Sequence, residues 1–94
     1  MKASRRGSAK KVPDGEIHLR RLHTEEALAR LDTYLNQAFL AGLSVARIVH
    51  GKGTGKLREV VRQELLCHPL VKSVRIASAE QGGEGVTVIE LETL

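Results

Sequence analysis

From Glu16 onward the apolar positions fall into regular patterns, and each pattern predicts an element. Ile17 and Leu19 alternate with His18 and Arg20, the two-residue period of a short strand. Ala27, Leu28, Leu31, Tyr34, Leu35, Ala38 and Phe39 then recur along one face of an amphipathic helix. Thr24 is the expected N-cap. Glu25 and Glu26 suit the positive end of the helix dipole, and Gly42 is placed to close the helix in the left-handed conformation. The β-branched run Val45 to Val49 predicts the next strand. A second helix carries Leu57, Val60, Val61 and Leu65 on its inner stripe and stops before Pro69. Val71 to Ala77 is the third strand, Glu80 to Glu84 with its Gly-Gly pair a turn, and Val86 to Leu91 the fourth strand.

The predicted order is β-α-β-α-β-β. Each helix has a single apolar stripe, so each covers sheet on one side only, and right-handed crossovers place both on the same face. The expected fold class is α/β, in the form of an α+β two-layer sandwich. It has a four-stranded mixed sheet, two helices on one face and a last strand returning antiparallel. Tyr34 and Phe39 lie on the buried helix stripe and are expected in the core.

The 94 residues fit one domain. No stretch approaches the roughly 20 apolar residues of a membrane span, and no apolar leader follows Met1, so the chain reads as soluble and cytoplasmic, with no membrane partner. A single cysteine, Cys67, excludes an internal disulfide framework and a cysteine-based zinc site; it is expected to pack as a small apolar group. Two aromatic residues argue against folds that stack bases on aromatic platforms. The net charge of +4 is unevenly spread. Lys2, Arg5, Arg6, Lys10 and Lys11 face no acid within residues 1–12, whereas ten Lys and Arg are set against eleven Asp and Glu in 13–94. Residues 1–15 therefore read as a flexible basic leader, either a phosphate-tracking arm or a solubilising linker, and 16–94 as the domain.

The candidate chemistry lies where the pattern breaks. His50-Gly51-Lys52-Gly53-Thr54-Gly55 joins a strand end to a helix start. Three glycines let the backbone approach an anion closely, the helix adds free N–H groups, and Lys52 and Lys56 add charge. This is not a P-loop: three residues rather than four precede Gly55-Lys56, and Leu57 follows. The spacing G-x-G-x-G is not a dinucleotide fingerprint either. Arg20 and Arg21 end the first strand, and if strands one and two are parallel neighbours they stand near His50, placed to clamp phosphate bidentately.

These residues resemble a known family. The loop HGKGTGKLR at 50–58, His68-Pro69 with Val71, and GGEGVTVIEL at 82–91 are similar to the small MutS-related (Smr) domain. The likeness runs over 16–91 and is greatest to the version at the C-terminus of the second bacterial MutS-type ATPase paralogue. It implies the same fold with sheet order 1-2-4-3. It further implies nucleic-acid binding and endonuclease activity: nicking of branched or single-stranded DNA in recombination suppression and repair, or RNA processing with ribosome contact. The chain is then the terminal piece of a longer MutS-like ATPase or a free-standing protein.

The family's first motif, Leu-Asp-Leu-Arg/His-Gly, maps its third and fourth residues onto Leu19 and Arg20. His18 stands at the Asp position and Arg21 at the Gly position. The second motif, His50-Gly51-Lys52-Gly53, is intact. In the expected mechanism Arg20, Arg21, Lys52 and the backbone from Gly53 through Thr54 and Gly55 to Lys56 hold a phosphodiester. His50 moves the proton, with His18 either assisting it as a general base or metal ligand or standing as an exposed, non-catalytic substitution. Arg58 and Arg47 extend the phosphate track. A magnesium or manganese ion is an open expectation whose seat no paired carboxylates mark. The alternative is a binding or ribosome-docking module that does not cleave. His23, Glu59, Arg62 and Lys72 are expected at the solvated surface.

Overall fold

The computed structural model describes residues 15–94. The expected leader lies outside the described residues except for Gly15, whose carbonyl accepts the Arg47 N–H at 2.8 Å. Strand β1 (Glu16–His18), helix α1 (Thr24–Leu40), β2 (Val45–Val49), α2 (Lys56–Cys67), β3 (Val71–Ile76) and β4 (Val86–Leu91) follow in the predicted order. Two single-turn 3-10 segments, Ala79–Gln81 and Gly83–Gly85, form the turn before β4. The sheet order is β1-β2-β4-β3, with β1 parallel to β2 and β4 antiparallel to both of its neighbours.

Register decides which side chains meet the helices. Ile17 pairs with Ile48, Ile48 with Thr87, Ala46 with Ile89 and Val74 with Ile89. Alternation therefore sends this set to one face. There Ala46, Ile48, Ile89 and Leu91 join Leu31 and Leu35 of α1 and Val61 and Leu65 of α2 in a single core. Burying each such large aliphatic side chain is worth about 1.5–3 kcal/mol. The opposite face carries a smaller cluster of Ala77, Val86 and Val88 with Val49 against it. The turn before β4 is tied to that face, where Arg47 Nη2 donates to the Gln81 carbonyl at 2.7 Å.

Several local expectations change: Phe39, expected in the core beside Tyr34, is only half-buried and stands outside the core cluster. Helix α1 begins at Thr24 with His23 as N-cap, because the chain enters from an extended His23 and the Ala27 N–H already bonds the His23 carbonyl at 2.8 Å. Cys67 is exposed rather than packed. It stands two residues past Leu65, about 200° around the helix from the Leu57–Val61–Leu65 stripe. Strand β3 ends at Ile76, although the Ala77 N–H still donates to the Val86 carbonyl at 3.1 Å. Among the described residues no helix is long and apolar enough to cross a membrane.

Candidate functional site

Because β1 and β2 run parallel, both leave the sheet at the same end. Leu19 prolongs the pairing, its N–H donating to the Val49 carbonyl at 2.7 Å. Arg20 and Arg21 thus emerge beside His50, and all three line one open cavity of about 690 Å³ with Lys52, Gly53 and Thr54. A four-residue turn closes behind Leu19, where the Leu22 N–H bonds the Leu19 carbonyl at 3.3 Å. Its third residue, Arg21, has φ +67°, alone among the described non-glycine residues in the left-handed region. That conformation costs an arginine roughly 1 kcal/mol. The family motif has glycine at this position.

The loop after β2 is shaped by its glycines. Gly51 has φ +82°, and a Cβ there would lie 3.2 Å from Arg20 Cγ, so its bareness lets the loop run against the arginine. Gly55, at φ +88°, is the N-cap of α2. The Gly55 N–H bonds the Lys52 carbonyl at 2.8 Å, and Thr54 Oγ1 accepts the Lys56 N–H at 3.3 Å. Among the described residues the N–H groups of Lys52, Gly53 and Thr54 have no acceptor. The first turn of α2 adds the unspent N–H groups of Leu57 and Arg58.

His50 sits beneath this loop, 3% exposed. Its Nδ1 lies 2.9 Å from the Gly51 carbonyl oxygen, which can only accept, so Nδ1 carries the hydrogen. Its Nε2 lies 2.8 Å from Thr87 Oγ1 and accepts that hydroxyl hydrogen. Thr87 Oγ1 accepts in turn from Arg62 Nε at 3.1 Å. Burial is the main cause holding His50 below its usual 6.5; the Gly51 bond opposes it, while Arg62 and Arg58 add to the lowering. Arg62 is itself lowered by burial and by Arg58, with Glu84 opposing. Arg58 stands beside Gly55 and reaches Glu84 Oε1 at 3.4 Å.

The structure brings together Arg20, Arg21, His50, Lys52 and the glycine loop, and leaves two predicted members elsewhere. His18 pairs with Val49 in register, on the sheet face opposite His50, and bonds Glu16. Side-chain alternation along β1 separates the two histidines, so they do not form a proton-transfer pair in this arrangement. Arg47 lies on the same opposite face, held by Glu16 and the Gln81 carbonyl, and does not extend the cationic track. Arg62, expected at the solvated surface, instead reaches the buried Thr87. Sequence reasoning missed Thr87 as well. Its signal was a hydroxyl in the inward register of β4, with the apolar Ile89 and Leu91 as its same-face neighbours.

Lining of this kind, cationic and rich in N–H donors, suits a ligand with several anionic oxygens. The cavity holds no carboxylate, and among the described residues no three His, Cys, Asp or Glu side chains converge. This donor set does not fit a protein-held magnesium or manganese ion, which takes oxygen ligands.

Residues 17–92 match the Smr domain family. The endonuclease MutS2 of Thermomicrobium roseum is 60% identical over 77 residues, covering 82% of this chain and 10% of that protein. The endonuclease MutS2 of Geobacillus kaustophilus is 51% identical with the same two coverages. The chain therefore spans about a tenth of the length of these curated relatives. Among solved structures, the Smr domain of Thermus thermophilus MutS2 superimposes with a TM-score of 0.80 at 44% identity, covering 82% of this chain and 96% of that one. YdaL, a stand-alone small MutS-related protein from Escherichia coli, gives 0.79 at 27% identity, covering 86% and 67%. With the family matched over nearly all its described residues, the chain belongs to the Smr domain family.

Proposed function

We propose that this domain binds the phosphate backbone of nucleic acid at the glycine loop. Branched or single-stranded DNA is the first ligand to test and structured RNA, including ribosomal RNA, the second. The observation that carries the reading is the set of unspent N–H groups at Lys52, Gly53 and Thr54, facing no acceptor and flanked by Arg20, Arg21 and Lys52. A phosphodiester offers two non-bridging oxygens able to accept several such donors at once. Thr54, Gly55 and Lys56 continue the seat along the start of α2, with Arg58 at its edge. A place within a longer MutS-like protein agrees with the relatives' names and with the tenth of their length that the chain spans.

Phosphodiester hydrolysis is the second reading, favoured by the relatives' names and by the place of His50 on the cavity lining. In that reaction a water oxygen attacks phosphorus, the bond to the leaving oxygen breaks, and a proton passes from the water to the leaving group. Arg20 and Lys52 would offset charge on the phosphoryl oxygens. His50 can take the proton only after Nε2 is released from Thr87.

Both readings are tested by titrating binding of single-stranded, branched and duplex DNA and structured RNA against salt. Supercoiled plasmid is then incubated with wild type and His50→Ala, in EDTA, magnesium and manganese. Backbone binding predicts a log–log salt slope near −0.9 per duplex contact and near −0.7 per single-strand contact. Salt-insensitive or absent binding sinks the first reading. Nicking that vanishes in His50→Ala supports the second; binding without any nicking removes it.

A further inference from the structure

The buried chain behind the loop runs through three contacts, and Arg62 Nη2 beside them is buried without a partner among the described residues. Arg62 Nε donates to Thr87 Oγ1, Thr87 donates to His50 Nε2, and His50 Nδ1 donates to the Gly51 carbonyl. Each hydrogen has one direction that satisfies all three contacts. Had the ring hydrogen been on Nε2, the Nδ1 lone pair would face the carbonyl oxygen at 2.9 Å, two acceptors in repulsion. Thr87 is fully buried, so no solvent can replace its hydroxyl.

The last link reaches the ligand-facing backbone. In a trans peptide the carbonyl and the next N–H point in opposite directions. A Gly51 carbonyl held by the imidazole therefore turns the Lys52 N–H away from the ring, and that N–H is among those without an acceptor. The same loop is held from a second side, where the His50 and Gly51 N–H groups both donate to the Gly85 carbonyl, at 3.1 and 2.9 Å. Among the described residues, however, the His50 side chain alone fixes the Gly51–Lys52 peptide.

We infer that Thr87 and Arg62 are positioning residues of the loop. Through His50, held as the Nδ1–H tautomer, they set the direction of the Gly51–Lys52 peptide and so the aim of its N–H at a bound phosphodiester. The ligand part rests on the reading of the loop given above; the relay part stands on its own. The low proton affinity of the ring agrees with this arrangement. The charged groups near the ring are Arg62 and Arg58 from α2, with Arg20 and Lys52 across the cavity and Glu84 beside the arginines.

The test compares the whole 94-residue chain as wild type, Thr87→Val, Thr87→Ser and Arg62→Gln. Long-range proton–nitrogen NMR of the imidazole reads the tautomer, amide exchange at Lys52 to Thr54 reads loop order, and a fluorescent single-stranded DNA reads affinity. Wild type is expected as Nδ1–H. Thr87→Val is expected to mix the tautomers, speed exchange at Lys52 and weaken binding roughly tenfold, the consequence of leaving Nε2 buried without a donor. Thr87→Ser restores all three readouts. Arg62→Gln raises the pH at which His50 titrates. An Nδ1–H signal absent from the wild type overturns the relay even if a variant fails to fold. So does a folded Thr87→Val with unchanged tautomer and exchange, or a Thr87→Ser no better than Val. If the relay behaves as expected while the wild type binds none of the nucleic acids, the ligand reading fails and the positioning of the peptide stands.

Discussion

At each end of α2 stands a histidine whose side chain is covered, and the two are wired in opposite senses. Before the helix, His50 donates from Nδ1 to a carbonyl and accepts a hydroxyl at Nε2, with arginines as its charged neighbours. After the helix, the His68 side chain, 7% exposed, accepts the Leu70 N–H at Nδ1 and donates from Nε2 to Asp32 of α1 at 2.9 Å. Around His68 the backbone is also spent: its N–H bonds Leu65 and its carbonyl takes the Val71 N–H. Around His50 three loop N–H groups remain unspent. A covered histidine by itself therefore says little. What distinguishes a pin between helices from the floor of a ligand seat is whether the neighbouring backbone still has donors to give.

The contrast can be broken from either end. The largest effect is expected for Arg20→Ala combined with Lys52→Ala. Loss of two phosphate contacts should weaken binding about 10- to 100-fold at moderate salt and flatten the log–log salt slope by about 1.4 on single strands and 1.8 on duplex. Fluorescence titration at several salt concentrations measures both, and an unchanged slope would place the ligand elsewhere. His68→Ala should do the reverse. It costs about 1–2 kcal/mol in urea unfolding, as the Asp32 bond and the Leu70 cap are lost, while affinity stays at the wild-type value. A parallel fall in affinity would erase the distinction between the two ends.

The third test is pH. Because His50 is held below its usual 6.5, chiefly by burial, the unfolded chain binds its proton first as pH falls. Its contribution to stability is therefore full above about 6.5 and is lost as pH drops from there toward the lower folded value. Chemical denaturation at pH 7.5, 6.5 and 5.5 should show this loss, and Arg62→Gln, by removing a cationic neighbour, should shrink it. The smallest effect belongs to Arg21→Gly. Relief of the left-handed backbone is partly offset by the greater freedom of glycine in the unfolded chain, leaving a gain under about 1 kcal/mol. Thermal unfolding would measure it; a clear destabilisation would show that the arginine side chain contributes more than its backbone costs.

The periodicity of apolar residues was enough to order the elements and place both helices on one sheet face, because burial of stripes such as Leu31–Leu35 and Val61–Leu65 is decided locally. The glycine loop was legible for a similar reason: three glycines between a strand and a helix leave few other backbone paths. The two alternatives for His18 stayed open in the sequence because nothing in the spacing of residues 18 and 50 reveals which sheet face each takes; strand alternation puts them on opposite faces and leaves His18 exposed. Arg62 and Thr87 are 25 residues apart in sequence, and their meeting depends on α2 crossing the start of β4. Contacts of that kind arise from tertiary packing and leave only a faint mark, here a hydroxyl on an inward strand position.

The sheet order also has a consequence for how the chain is assembled. The last strand in sequence occupies an inner place, paired on one side with β2 and on the other with β3. Until residues 86–91 arrive, β3 has no partner and β1 with β2 forms only a two-stranded ribbon, too small to persist alone. Thr87 and the Gly85 carbonyl arrive with that same segment, so the loop is braced only when the sheet closes. Synthesis of β4 is thus the step that licenses both fold and site, and losing it removes a keystone, whereas losing β1 removes only an edge strand.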